Sequence, residues 1–494
     1  MSVAKVRARA ACLLLLASAS LGSSHRLEAQ DAAHYQTDFT RDEFAARRAR
    51  VYDAIGRDGI AVVQGASGVP GFSVFRQSNE FYYLCGVESA HGYLLLNGRA
   101  RTTTLYLPHR DAARERNEGK MLAAEDSVLL KQLTGVDAVR PLEQMAQDLT
   151  GADLLRPPAM VLHTPLAPME TGNDSRDELL AAQARAAGDP WNGRPSREAH
   201  FVQLVQQRFP QLTVRDLSPT LDAMRTIKSP AEIAVIRRAT QLAGLGIMEA
   251  MRSTAAGVYE YQLDAAAKYV YYLNGARGDG YASIIGGGTN AFMGHYFRKA
   301  DALRDGDMVL MDYAPDVRYY TSDVTRIWPV NGTFSPAQKA LYEYIVAYRD
   351  ALFRYIKPGV TSDEVLDRAA ADMRQYLVGK TFASPAHKRA VEEGLVFRGH
   401  FQHPVGMAVH DVGRVRGVPL QAGMVFTIDP MIWIPEERLY IRIEDVALVT
   451  ADGVENLSGF VPSRIADVQR TIAEPGLVQH HPPVPSTGMG GVRK

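Results

Sequence analysis

Four apolar stretches in the second half of this 494-residue chain each carry a carboxylate at a position where a buried strand would hold it. MVLMD ends on Asp312, and TSDVTRIWP carries Asp323 eleven residues further on. FTIDP carries Asp429, and YIRIED carries Glu444. An ionised carboxylate taken out of water is strongly disfavoured unless it is paired or bound to a cation. One such residue reads as a strand-end turn, or, for Asp323 in SDVTR, as a structural ion pair. Four together constrain the fold more tightly, because whatever buries these strands must bring the acids to shared positive charge.

GHFQHPVGMAVHDVG adds His400, His403 and His410 within eleven residues, in a chain with 13 histidines. Neutral imidazole is a metal ligand and a proton shuttle. Carboxylates with one histidine suit Mn²⁺, Zn²⁺, Co²⁺ or Fe²⁺. A pair of such cations about 3.5–4 Å apart can hold a hydroxide and polarise a carbonyl together. A cysteine zinc site is excluded, since Cys12 lies in an expected N-terminal export signal and its removal leaves only Cys85. Ser283 to Gly288 (SIIGGG) is glycine-rich but lacks the Gly-Lys-Ser/Thr ending of a phosphate loop.

The N-terminus has the layout of a secretory signal, with Lys5, Arg7 and Arg9 before an apolar AACLLLLA run and then small residues. Residues 1–30 are therefore expected to be a signal peptide, and the mature chain to be periplasmic or secreted, free of the membrane. Cys85 would then be its sole cysteine, with no intramolecular disulfide. The formal net charge is zero and no long single-sign block occurs, so no nucleic-acid partner is expected.

Strands alternate with helical stretches from Asp42 to about Asp216, which predicts an α/β domain over residues 31–217. IAVVQG, EFYYLCG, GYLLL and TTTLYL read as its strands. A polar stretch between Pro165 and Pro195, helical in pattern at Arg176 to Ala187, reads as a loop excursion without a legible function. Ser229-Pro230 with Glu232 marks the start of a long helix, and a second domain is expected over 218–473. Its helices are expected near 336–356 and 362–378, and Leu439 to Val446 as one strand. Residues 474–494, rich in Pro, Gly and His, are expected to be a disordered tail.

At the level of ordered motifs the chain resembles the pita-bread metallopeptidases, and within them aminopeptidase P and prolidase. FRQSNEFYYLCGVESAHGYLLL is similar to the family's creatinase-like N-terminal domain. IKSPAEIAVIRRA, GGGTNAFMGHY, DYAPDVRYYTSDVTRIWPVNG, HPVGMAVHDVG and YIRIED are similar, in order, to its catalytic domain. The resemblance implies an α/β (α+β) chain with a creatinase-like domain before a pita-bread domain. It implies a site of two divalent ions, manganese foremost, with Asp312 on one metal, Asp323 and Glu444 bridging, His403 the sole imidazole ligand and Asp429 the remaining ligand. It further implies that His295 and His410 contact substrate and steady the tetrahedral intermediate, that Asp429 shuttles the proton, and that Arg442 orients a ligand carboxylate. The implied activity is Xaa-Pro aminopeptidase, on peptides with proline second, in a homodimer or homotetramer. The alternatives are a prolidase-type dipeptidase and a metal-poor binding protein of the same fold. Three positions depart from the family: Asp429 replaces a usual Glu, Gly399 stands where a His is common, with His400 beside it, and Ala314-Pro315 replaces a common glycine.

Overall fold

The computed structural model describes residues 35–69, 73–151, 161–172 and 174–483. The expected signal peptide lies outside them. They form two compact units, one comprising the chain up to Thr171 with Arg194–Leu221, the other Gly172–Gly193 with Asp222 onward. The polar excursion, expected inside the N-terminal domain, therefore groups with the second unit.

The first unit is built on a six-stranded mixed sheet of β1 (Gly59–Gln64), β2 (Tyr93–Asn97), β3 (Thr102–Leu107), β4 (Ala138–Pro141), β5 (Val161–Thr164) and β6 (Thr213–Asp216), in the order β4-β3-β2-β1-β5-β6. One face buries Ile60, Val62, Leu95, Tyr106 and Leu162 against Leu149, Val205 and Phe209. EFYYLCG differs from expectation: Asn79–Cys85 is a helix, with every residue buried and closed by Gly86 at φ 69°. A short run that is apolar on all sides carries no period, so strand and buried helix look alike. Gly86 in the left-handed region decides for the helix, because a helix C-terminus needs that conformation and glycine supplies it.

The long helix Pro230–Ser253 of the second unit starts with Ser229 accepting from the Glu232 amide and the Glu232 carboxylate accepting from the Ser229 amide. Its strands are β7 (Gly278–Asp279), β8 (Ile284–Gly287), β9 (Met308–Asp312), β10 (Pro315–Asp316), β11 (Thr325–Pro329), β12 (Phe401–Pro404), β13 (Val425–Ile428), β14 (Met431–Ile434), β15 (Leu439–Arg442), β16 (Asp445–Val449) and β17 (Val454–Asn456). They form the sheets β11-β9-β8 and β12-β13-β16-β17 and the pairs β14-β15 and β10-β7. Long helices, Pro336–Tyr355 and Ser362–Tyr376, occupy the expected stretches. The single strand expected at 439–446 is broken at Ile443-Glu444, so that β15 and β16 belong to different sheets.

Residues 474–483 depart from the expected structureless tail. A short helix, Leu477–His480, is tied to the long helix Pro230–Ser253 by Gln479 Nε2 donating to Ser253 O at 3.0 Å. Among the described residues no helix is long and apolar enough to cross a membrane.

Candidate metal centre

Strand register brings the acids together. Thr325 on β11 lies opposite Asp312 on β9, and its other edge bridges to Glu444. Ile428 faces Asp445 in the antiparallel β13–β16 pair, which sets Asp429 across from Glu444. Asp323 precedes β11 by two residues, and His403 comes in on β12 beside β13. The seam between the two larger sheets thus collects Asp312, Asp323, His403, Asp429 and Glu444, four of them buried carboxylates.

Arg442, at the end of β15, forks across three of the acids. Its Nη1 donates to Asp312 Oδ2 at 2.8 Å, its Nε to Asp429 Oδ1 at 2.8 Å, and its Nη2 to Glu444 Oε2. The break after Arg442 lets it, at the end of β15, and Glu444, two residues on and bridged to Thr325, reach one centre. Thr325 Oγ1 donates to Glu444 Oε2 at 2.9 Å. The Tyr281 hydroxyl lies 2.6 Å from Asp312 Oδ1 and 2.9 Å from Asp323 Oδ1. Asp323, His403 and Glu444 offer ligand atoms that all lie within 4.8 Å of one another.

Charge balance tests whether these residues suit cations. One guanidinium faces four acids. Burial pushes the Asp323 carboxyl well above the usual carboxylate range, with Glu444 and Asp312 adding to the shift and Arg442 opposing it. Burial does the same to Asp429 against the pull of Arg442. Glu444 Oε1 is buried with no hydrogen-bond partner, and the Tyr281 hydroxyl has one proton for two carboxylates. More positive charge at this seam would relieve all three conditions, and carboxylate oxygen with imidazole is the donor set for hard to borderline divalent ions.

The cluster borders a cleft of about 370 Å³ lined in part by Tyr281, His295, Phe297, Asp312, Asp323, His403, His410 and Arg442. His410 sits ring to ring with His403, centroids 4.1 Å apart. His400 does not join them. It is fully buried, with Nε2 2.7 Å from Gly394 O and Nδ1 accepting from the Met431 amide, and burial lowers it to about 4. It supports the site through its carbonyl, which accepts from the Asp429 amide at 2.9 Å.

Sequence reasoning did not single out Tyr281 or Thr325, and it read the excursion as partly helical without a function. The helix Arg176–Gly188 supplies a cleft wall with Glu178, Leu179, Ala182 and Arg185, preceded by Asp174. Ser175 Oγ accepts from the His410 amide at 3.1 Å, and Asp177 Oδ2 lies 2.9 Å from His410 Nδ1. The Ser-x-x-Glu capping box at Ser175–Glu178 is the one signal in the sequence that marks this helix start.

Comparison with known proteins fits this geometry. The profile of metallopeptidase family M24 matches residues 234–451, and that of the aminopeptidase P N-terminal domain matches 44–154. Rat Xaa-Pro aminopeptidase 3 is 30% identical over 416 residues, covering 80% of this chain and 76% of the relative. The chain belongs to metallopeptidase family M24. Escherichia coli Xaa-Pro aminopeptidase is 28% identical over 460 residues, 88% of this chain and 98% of its own. Among solved structures, proline aminopeptidase P II from Yersinia pestis matches with TM-score 0.70 and 28% identity, over 88% of this chain and all of that one (100%). Escherichia coli aminopeptidase P with the inhibitor Pro-Leu matches with TM-score 0.70 and 26% identity, over 88% and 99%. This M24 metallopeptidase has the aminopeptidase P architecture, an N-terminal α/β domain followed by the pita-bread domain. Membership implies divalent metal ions, and the seam of acids is the candidate place for them.

Proposed function

We propose that the protein is a metal-dependent Xaa-Pro aminopeptidase that removes the first residue from peptides with proline second. The observation that carries this is the convergence of Asp312, Asp323, His403, Asp429 and Glu444 at one seam beside a cleft, in a chain whose relatives bear that activity in their names. Two divalent cations held there, manganese foremost, would supply the Lewis acidity that lowers the pKa of an attacking water and stabilises the oxyanion.

The chain's own residues do the rest. Arg442 fixes three carboxylates with one planar fork, which holds their oxygens in the orientation that ligation needs. Asp429 takes the proton of the attacking water and returns it to the proline nitrogen. His410, its Nδ1 held by Asp177, and His295 on the cleft wall hydrogen-bond to the substrate carbonyl as charge develops on it. Asp429, one methylene shorter than the family's Glu, still reaches the Arg442 fork that it shares with Asp312 and Glu444.

The test is release of the N-terminal residue from tripeptides with proline or alanine second, by the purified chain loaded with Mn²⁺, Zn²⁺ or Co²⁺. Proline-dependent release in at least one metal is expected; no release in any of them refutes the proposal. Cleavage of Xaa-Pro dipeptides with rejection of tripeptides would assign the prolidase-type activity instead. Elemental analysis reads the metal, and light scattering reads the homodimer or homotetramer that the resemblance implies. Export to the periplasm or medium, proposed from residues 1–30, is read by N-terminal sequencing of the protein recovered outside the cytoplasm.

A further inference from the structure

The helix Arg176–Gly188 is a part of the cleft that none of the family motifs supplies. Glu178, Ala182 and Arg185 follow one another at intervals of four and three residues, the spacing that keeps side chains on one helical face, and Asp174 precedes the helix by two residues. With Leu179 these are the residues that line the cleft. The helix therefore runs along the wall instead of touching it at one end. Its first turn is fixed beside the candidate metal centre, since Asp177 and Ser175 hold His410 and the His410 ring lies 4.1 Å from that of His403. Arg185 comes eight residues after Asp177, about 12 Å further along the axis at 1.5 Å per residue. An extended peptide advances roughly 3.3 Å per residue, so this span corresponds to about three to four residues.

The charges along this wall run from acid to base. Asp174 and Glu178 stand at the end near the metal centre and Arg185 at the far end, all three exposed in the cleft. Among the described residues no carboxylate lies within ion-pair distance of Arg185. A short peptide has the matching polarity, a cationic amino end and an anionic carboxyl end. A cleft of about 370 Å³ falls at the small end of the ligand-pocket range, roughly 300–1,000 Å³.

Building on the aminopeptidase reading, we propose that Arg185 is a specificity residue that binds a carboxylate three to four residues from the start of the substrate. The protein then favours tri- and tetrapeptides, whose C-terminal carboxylate falls at that point. A planar guanidinium grips a carboxylate with two parallel hydrogen bonds, which an amide end cannot accept in the same way.

The experiment measures calorimetric Kd values on the full metal-loaded chain, using proline-second tripeptides with a reduced, uncleavable first bond, as free acid and as C-terminal amide. The free acid is expected to bind about tenfold more tightly, with the ratio shrinking as salt is raised, because an exposed ion pair is screened. Arg185→Gln should bring the ratio within twofold while leaving amide affinity unchanged, and Arg185→Lys should retain part of it. A wild-type ratio near one, or a ratio that survives Arg185→Gln, overturns the proposal. A hexapeptide amide with Glu at position three or four separates the two sources of carboxylate. An Arg185-dependent gain there extends the site to acidic side chains, and no gain confines it to the C-terminus. Failure of the aminopeptidase reading would appear separately, as no amino-acid release from cleavable peptides while the acid-to-amide binding ratio persists.

Discussion

The loop that follows His403 on β12 and carries His410 is pinned from behind by a buried charge cluster, and this makes a quantitative test possible. Asp411 follows His410 directly. Its carboxylate pairs with Arg225 and lies 3.0 Å from Lys228 Nζ, and all three side chains are 1% exposed. Its amide donates to Pro404 O at 2.9 Å, and Gly406 lies so close that an added Cβ would collide with the carboxylate. Burial alone would raise the Asp411 pKa, but Arg225 and Lys228 outweigh it and hold the group below the usual carboxylate range. Asp411→Asn leaves two buried cations facing a neutral amide. Breaking a buried pair on one side costs about 3–5 kcal/mol. At roughly 2–4 °C per kcal/mol for a domain of this size, the unfolding transition of the catalytic unit at pH 7 should fall by about 10 °C. The pH dependence has a definite sign. A depressed folded-state pKa contributes stability that is present above the unfolded value, about 3.9, and is lost as pH falls through the folded value. Acid thus does to the wild type what the substitution does at any pH, and the two chains should converge at low pH. Thermal unfolding at pH 7, 5, 3.5 and 2.5 tests this. Equal stability at pH 7, or a difference that does not shrink in acid, refutes the reasoning. Replacing all three charged residues at once by apolar ones of similar length (Asp411→Leu, Arg225→Met and Lys228→Met) should restore most of the loss, since apolar substitutes remove the need for pairing.

Three further outcomes are expected. Glu444→Gln should lower the metal bound per chain by at least one ion in elemental analysis while circular dichroism stays native; unchanged metal content would remove Glu444 from the centre. Asp429→Glu should reduce kcat, because Arg442 already meets the shorter side chain at 2.8 Å in a fully packed position and overpacking costs about 1–3 kcal/mol; a rise in kcat would show that the native site is held back by the missing methylene. Asp177→Ala should lower kcat about tenfold or more with KM changed less than threefold, the pattern of a lost orienting partner; an unaltered kcat would make the Asp177–His410 contact incidental.

Much of the centre could be read in the chain because its acids sit in strands whose apolar neighbours force burial. Asp312, Asp323, Asp429 and Glu444 each stood out against such neighbours, and the structure brings all four together with His403 and Arg442. His400 looked like the other two histidines of its segment, and only tertiary surroundings separate it, since burial against Gly394 and Met431 makes it a structural residue. The misread elements have a common physical origin. EFYYLCG is buried on every side, so it shows no period, and the run at 439–446 hides a break at Ile443-Glu444 because both halves are β-prone.

The excursion's helix is legible in the sequence, but its function is not, for the opposite reason. Its helix has no buried residue along its length and no apolar stripe, so pattern reading treats it as a solvated insertion. A surface that faces a polar ligand must look like that. Periodicity finds what a chain hides from water, whereas a cleft wall stays wet until substrate arrives, and its meaning lies in where charges fall along an axis. Asp174 and Glu178 at one end and Arg185 at the other carry no signal until the Asp177–His410 contact fixes which end meets the chemistry. The metal centre is thus written in burial and can be read from composition in strands. Substrate choice is written in the placement of exposed charges, which only the folded chain reveals.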